Sequence, residues 1–257
     1  MAAHPTPLLP RRRRRVIGVE RLILAAVCVV SLVFRFRWGL GSITFEPANF
    51  IGYLTIQSNI AFTLVSIAAA VAVLRGVFVG ARLDALRAAA LTCTVSSGIG
   101  YAVILQQSAA RGIRVDVPWS DVVLHFILPV LAIADWMLTP RHRTRMIVVV
   151  MVLAYVGVWG ALTILRGRAT GWYPYYFLDP IQTESTAEFL MISALAVAVF
   201  AAVGSTLILV RPQLARYPDQ RRAQGSSAPT RVRRRRRDRR DPVRSALPPH
   251  QEESDDR

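Results

Sequence analysis

The sequence predicts an all-α fold, a bundle of six transmembrane helices with both termini in the cytoplasm. Three observations carry that expectation. The 257 residues are 53% hydrophobic with a mean hydropathy of +0.36, yet they hold a formal net charge of +16. All 32 basic residues are arginine, and they are segregated: five form the run Arg11–Arg15 and 14 fall in the last 47 residues. The 13 that remain are scattered among apolar runs long enough to cross a hydrocarbon core. A soluble enzyme, a disordered protein and a disulfide scaffold all fit this pattern poorly. Arginine without lysine, beside abundant Ala and Val, points to a GC-rich coding sequence. The expected location is therefore a bacterial plasma membrane, with several passes.

The spans are expected at about 16–34, 50–74, 86–105, 119–138, 146–165 and 188–210. The first follows the basic run. No small-residue cleavage motif precedes Phe34-Arg35-Phe36-Arg37, and bulky Val27 stands before Cys28, so the segment reads as a retained helix rather than a signal. The second opens on Tyr53-Leu54-Thr55-Ile56-Gln57-Ser58-Asn59, a polar cluster without a counterpart on the other spans. The third contains Ser96-Ser97-Gly98-Ile99-Gly100, small residues that let helix backbones approach. The fourth carries Asp121, His125, Pro129 and Asp135. Between the fifth and sixth lies Gly171-Trp172-Tyr173-Pro174-Tyr175-Tyr176-Phe177-Leu178-Asp179-Pro180, with five aromatics in ten residues.

Orientation follows from arginine placement. Arg11–Arg15, then Arg75, Arg82 and Arg87, then Arg141, Arg143 and Arg145, and finally the C-terminal tail mark one side. The other side holds only the pairs Arg35/Arg37, Arg111/Arg114 and Arg166/Arg168. The richer side is expected to be cytoplasmic. Residues 1–15 and 211–257 are read as disordered tails flanking a transmembrane domain at 16–210. Eight of the ten residues from Arg231 to Arg240 are arginine, a run that either only fixes topology or lies on anionic lipid. No aromatic or folded reader accompanies it, so no nucleic acid is expected as a partner.

Polar side chains inside the spans are the candidates for function, because hydrocarbon penalises them. Thr55, Ser58 and Asn59 share one helix face, while Gln57 points elsewhere. That face suits helix–helix hydrogen bonding or contact with a substrate. His125 is the only histidine in an expected span, and Asp121 stands one turn before it. The Asp121 carboxylate could fix the imidazole tautomer and leave the other nitrogen as a base, or the pair could simply meet water at the interface. Counted from helix starts near Phe50 and Trp119, Thr55 and His125 lie at about the same depth, roughly 7–9 Å. If spans 2 and 4 adjoin, a hydroxyl nucleophile and its base can meet. The aromatic loop is either a headgroup-level belt or a lid over spans 2 and 4, formed by Trp172, Tyr173, Pro174, Tyr175, Phe177 and Asp179. Asp135, near the cytoplasmic end of its span next to Trp136 and the Arg-rich loop, is expected to snorkel to the interface or pair with arginine rather than do chemistry.

Other chemistry finds no support. Cys28 and Cys93 fall inside spans as packing residues, and the four histidines form no Cys/His cluster, so neither a metal nor a cofactor is expected. There is no P-loop, nucleophile elbow or dinucleotide fingerprint.

Three of these segments, in this order, carry a resemblance. Tyr53 to Asn59, Leu124-His125 through Pro129 to Asp135-Trp136, and Gly171-Trp172-Tyr173-Pro174 to Asp179 resemble the six-helix bacterial membrane proteins called the Pr6Pr family, over roughly residues 16–210. More distantly, the pattern is similar to the eukaryotic androgen-induced family of membrane hydrolases, which cleave fatty-acid esters of hydroxy fatty acids. That likeness implies Thr55 as nucleophile and His125 as base, with Tyr175 to Asp179 matching an aromatic stretch that ends in an acid. His125 and Pro129 are four apart, one fewer than in the eukaryotic pattern. The expected function is thus a threonine/histidine-dependent hydrolase of lipid esters. Asp121 would orient His125, and Asn59 or Gln57 would donate to the oxyanion. The alternative is a non-catalytic protein using the same polar cluster as a pocket: a lipid or small-molecule binder, a transporter or an envelope regulator.

Overall fold

The computed structural model describes residues 9–210 apart from 44, 78, 111, 113, 140, 141, 143 and 184. The expected contact of Arg231–Arg240 with lipid, and the disorder expected of residues 211–257, lie outside the described residues. Residue contacts divide the chain into Met1–Asp219 and Gln220–Arg257, and every described residue belongs to the first unit. Among the described residues there is no strand, and six helices are long and apolar enough to cross a membrane. They are α1 (Arg11–Gly39), α2 (Leu54–Leu74), α3 (Ala81–Ala110), α4 (Trp119–Leu138), α5 (Ile147–Thr170) and α6 (Thr186–Leu209).

The boundaries follow local chemistry. Pro10 precedes α1, and Arg11–Arg15 already belong to its first turns. The basic run was expected in a disordered tail; arginine is a good helix former, and here it extends the apolar helix behind it. Pro47–Gly52 forms a 3-10 turn, so α2 starts at Leu54, four residues later than the apolar pattern suggests. At the end of α5, Gly171 takes the left-handed conformation (φ 72°) that glycine reaches without a Cβ penalty. Ser185 caps α6 by accepting from the Glu188 amide at 3.1 Å, the Ser-x-x-Glu arrangement of a capping box.

Helix α4 is not uniform. Trp119–Val122 is α-helical, Val123–Ile127 is a π turn in which the Leu128 amide bonds the Val123 carbonyl, and Leu128–Leu138 resumes the α-helix. Pro129 has no N–H to give to the carbonyl four residues back, that of His125. A π turn at such a point widens the helix and re-aims its side chains.

Packing places α1, α2, α3 and α4 in a ring. α2 packs on α1 and α3, and α4 also packs on α1 and α3. α5 and α6 pack on each other and on α3. Leu124, Leu128 and Trp136 of α4 are completely enclosed, and the Trp136 indole donates to the Leu207 carbonyl of α6 at 3.0 Å. Helices α2 and α4 therefore face each other across the ring and meet in the core cluster that holds Phe62 and Leu124, rather than packing side by side as the meeting of Thr55 and His125 required.

Candidate functional site

The polar residues gather at the two ends of the bundle. At the end holding the start of α1, Arg21 donates to both Asp135 oxygens at 3.0 and 3.2 Å, and Arg87 reaches the same carboxylate at 2.7 Å. Arg87 also bonds Asp84 at 2.9 Å, and Asp84 accepts from the His142 backbone amide at 2.8 Å. The Thr139 hydroxyl accepts from Arg21 at 3.0 Å and donates to the Asp135 carbonyl at 2.6 Å. All four charged groups are buried, so each needs the others. Asp135 pairs with arginine, and the partners are Arg21 of α1 and Arg87 of α3. In the sequence Arg87 serves only to mark the cytoplasmic side, and Arg21 and Asp84 have no assigned role. The available signal was Arg21 inside the first expected span, and Asp84 and Arg87 three apart at the start of the third.

At the opposite end, His125 is 7% exposed and its Nδ1 lies 2.9 Å from the carbonyl oxygen of Asp121. A carbonyl only accepts, so Nδ1 carries the proton and Nε2 keeps a lone pair in the neutral ring. Among the described residues nothing bonds Nε2. The ring stacks on Tyr101 of α3, centroids 3.9 Å apart and planes 14° apart. The Asp121 carboxylate is occupied elsewhere: it accepts from Arg35 of α1 at 2.8 Å and from the Tyr101 hydroxyl at 3.2 Å. Asp121 thus holds His125 through its backbone, not through the carboxylate the sequence suggested. Arg35 and Tyr101 were missed, because their relation to His125 exists only once α1, α3 and α4 pack.

Thr55 is 8% exposed, in the first turn of α2, and its Oγ1 lies 3.3 Å from the Tyr175 hydroxyl. It shares no hydrogen bond with His125. Since α2 starts at Leu54, Thr55 is its second residue whereas His125 is the seventh of α4, so the two are not equally deep along their helices. The partners on the same face are engaged with backbone. Asn59 donates to the Thr55 carbonyl at 2.9 Å, and Ser58 donates to the same oxygen at 2.9 Å. Asn59 is fully buried, beside Cys28 of α1. Gln57 points away, donating to the Ile51 carbonyl at 2.8 Å and accepting from Tyr155 of α5. The amide groups assigned to an oxyanion are therefore already in use, and the hydroxyl beside Thr55 is that of Tyr175.

The aromatic loop covers the start of α2. Tyr53 meets Trp172 edge-on at 5.4 Å and Tyr175 at 6.1 Å, and Tyr175 also contacts Trp159 of α5 and stacks on Phe177. Tyr176 hydrogen-bonds Gln107 of α3. Tyr173 lies over Gly167, where a side chain would collide with its ring, and Pro174 is buried. Asp179 closes the following turn by accepting from the Ile181 amide at 2.9 Å and from Gln182 at 2.7 Å. Burial pushes both the Tyr175 and Tyr53 phenols above their ordinary values, so both stay protonated through neutral pH.

Four further hydroxyls on buried residues, those of Ser31 on α1, Thr94 and Ser96 on α3 and Ser120 on α4, bond to nothing among the described residues. Among those residues no group of His, Cys, Asp and Glu could hold a metal ion. No protein-family model, curated protein or solved structure matches the chain.

Proposed function

We propose that this multi-pass membrane protein hydrolyses lipid esters at the end of the bundle that holds Thr55 and His125, with that end facing outward and both termini in the cytoplasm. One observation carries the reading: His125 has Nδ1 fixed by the Asp121 carbonyl and Nε2 unbonded, at the same end of the bundle as buried Thr55. A base needs that arrangement, with a defined tautomer and a free lone pair. The motif likeness to the androgen-induced hydrolases adds support. In the reaction, Thr55 Oγ attacks the ester carbonyl carbon while His125 Nε2 takes the hydroxyl proton. The Tyr175 hydroxyl donates to the oxyanion, the C–O bond to the alcohol breaks, and the imidazolium returns its proton to the leaving alkoxide. Water then releases the acid from Thr55 by the reverse sequence. Closure across the ring, by motion or by the substrate, is required to bring Thr55 within reach of His125.

Purified protein in detergent is expected to cleave long-chain acyl esters and to lose that activity in both Thr55→Ala and His125→Ala. Full activity in either variant rejects the mechanism.

A second reading, non-catalytic binding of a lipid or small polar molecule, is favoured by two observations. Thr55 bonds Tyr175 rather than His125, and buried hydroxyls on three helices lack partners, where buried polar groups are nearly always bonded. It predicts saturable ligand binding that survives His125→Ala, with no ester turnover.

A further inference from the structure

The face of α2 opposite Thr55 borders a different feature. Gln57, Gly52, Tyr155, Trp159, Arg166 and Trp172 surround a cavity of about 280 Å³ between the start of α2 and the end of α5. Its remaining wall is Val158, Leu162 and Thr163, of which the two apolar residues face outward at 60% and 61% exposure. On helices able to cross a membrane, such a wall lies against acyl chains.

Arg166 sits at the mouth and is exposed. Arg21, Arg35 and Arg87 are each paired with a carboxylate. Arg166 is held by neutral groups instead: it donates to Oδ1 of buried Asn49, and its guanidinium lies 4.9 Å from the centre of the Trp172 ring. Among the described residues no acid forms an ion pair with it. The amide and the indole fix its position and, among the described residues, leave its charge unneutralised. Gly52 is needed for the shape, since a side chain there would meet the Trp172 ring at 2.9 Å.

We propose that this cavity is a binding site for one anionic glycerophospholipid, with the phosphate on Arg166 and an acyl chain along Val158 and Leu162. A planar guanidinium held in place suits two phosphate oxygens at once. The rings of Trp159 and Trp172 and the Tyr155 hydroxyl suit the glycerol–ester level, where amphipathic aromatics gather. The site is separate from the hydrolase reading, because Gln57 faces the cavity while Thr55 faces Tyr175.

The test uses the full chain in detergent micelles containing a small mole fraction of dibrominated phosphatidylglycerol or dibrominated phosphatidylcholine. Bromine on the chain quenches the indoles of Trp159 and Trp172 on contact. Half-maximal quenching is expected at about five-fold lower mole fraction for phosphatidylglycerol. Arg166→Gln is expected to raise that value to the phosphatidylcholine level. Leu162→Gln, at an exposed position the fold does not need, is expected to weaken quenching by both lipids while keeping the charge. Thr55→Ala and His125→Ala are expected to change neither lipid. Equal quenching by the two lipids, or a preference surviving Arg166→Gln, overturns the proposal. So does displacement of the brominated lipid by inorganic phosphate alone, which would make the site one for a free anion.

Discussion

Gly98 and His125 meet backbone to backbone: the His125 carbonyl oxygen occupies the space where a side chain on Gly98 would begin. The small-residue stretch of α3 is thus a packing face for α4, and it seats the π turn that presents the imidazole. Gly98→Ala is expected to push α4 outward and cost about 1–3 kcal/mol, the usual penalty for overpacking a rigid contact. Thermal unfolding in detergent would read the loss. If the hydrolase reading holds, ester turnover falls with it. An unchanged midpoint would show that α4 yields freely at this point.

The Arg21–Asp135–Arg87 cluster makes a larger prediction. Asp135→Ala leaves two buried guanidinium groups without their shared carboxylate, which typically costs about 3–5 kcal/mol. Expression and thermal midpoint should both drop sharply, and more than in Arg35→Ala, whose pair is partly open to solvent. A loss below 1 kcal/mol, the range of exposed pairs, would mean that water reaches the cluster.

Because Asp121 holds His125 by its carbonyl, Asp121→Asn should leave the imidazole tautomer alone. Nitrogen chemical shifts of the labelled histidine ring are expected to report a protonated Nδ1 in both proteins. The same substitution removes the charge opposite Arg35, so it should lower stability. A shift of the proton to Nε2 would show that the carboxylate sets the tautomer after all.

Tyr175 supplies a pH dependence. Its folded pKa is raised above the ordinary value of 10.0 by burial, so the folded state retains the phenolic proton where the unfolded chain gives it up. Its contribution is complete below that ordinary value and is lost as pH rises through the higher folded value. The thermal midpoint should therefore not respond to Tyr175 at neutral pH and should fall from about pH 10 upward. Tyr175→Phe is expected to make the alkaline decline shallower. An identical decline in the variant would place the phenol in contact with water.

Much of this molecule was legible along the chain. Apolar runs and their lengths determined six helices, because hydrocarbon demands about 20 apolar residues with internal backbone bonding whatever the neighbours are. The polar residues that hydrocarbon penalises also announced themselves singly: Thr55, Asn59, Asp121, His125 and Asp135 are all buried. Their partners could not be read that way. Whether His125 meets Thr55 or Tyr101, whether Asp121 acts by carboxylate or carbonyl, and which arginines reach Asp135 depend on the ring order of α1 to α4 and on one π turn. Helix periodicity sets which face a residue occupies, but only packing sets what stands opposite. Side-chain contacts act within a few ångströms, between residues that are distant in sequence, and so tertiary structure alone decided them.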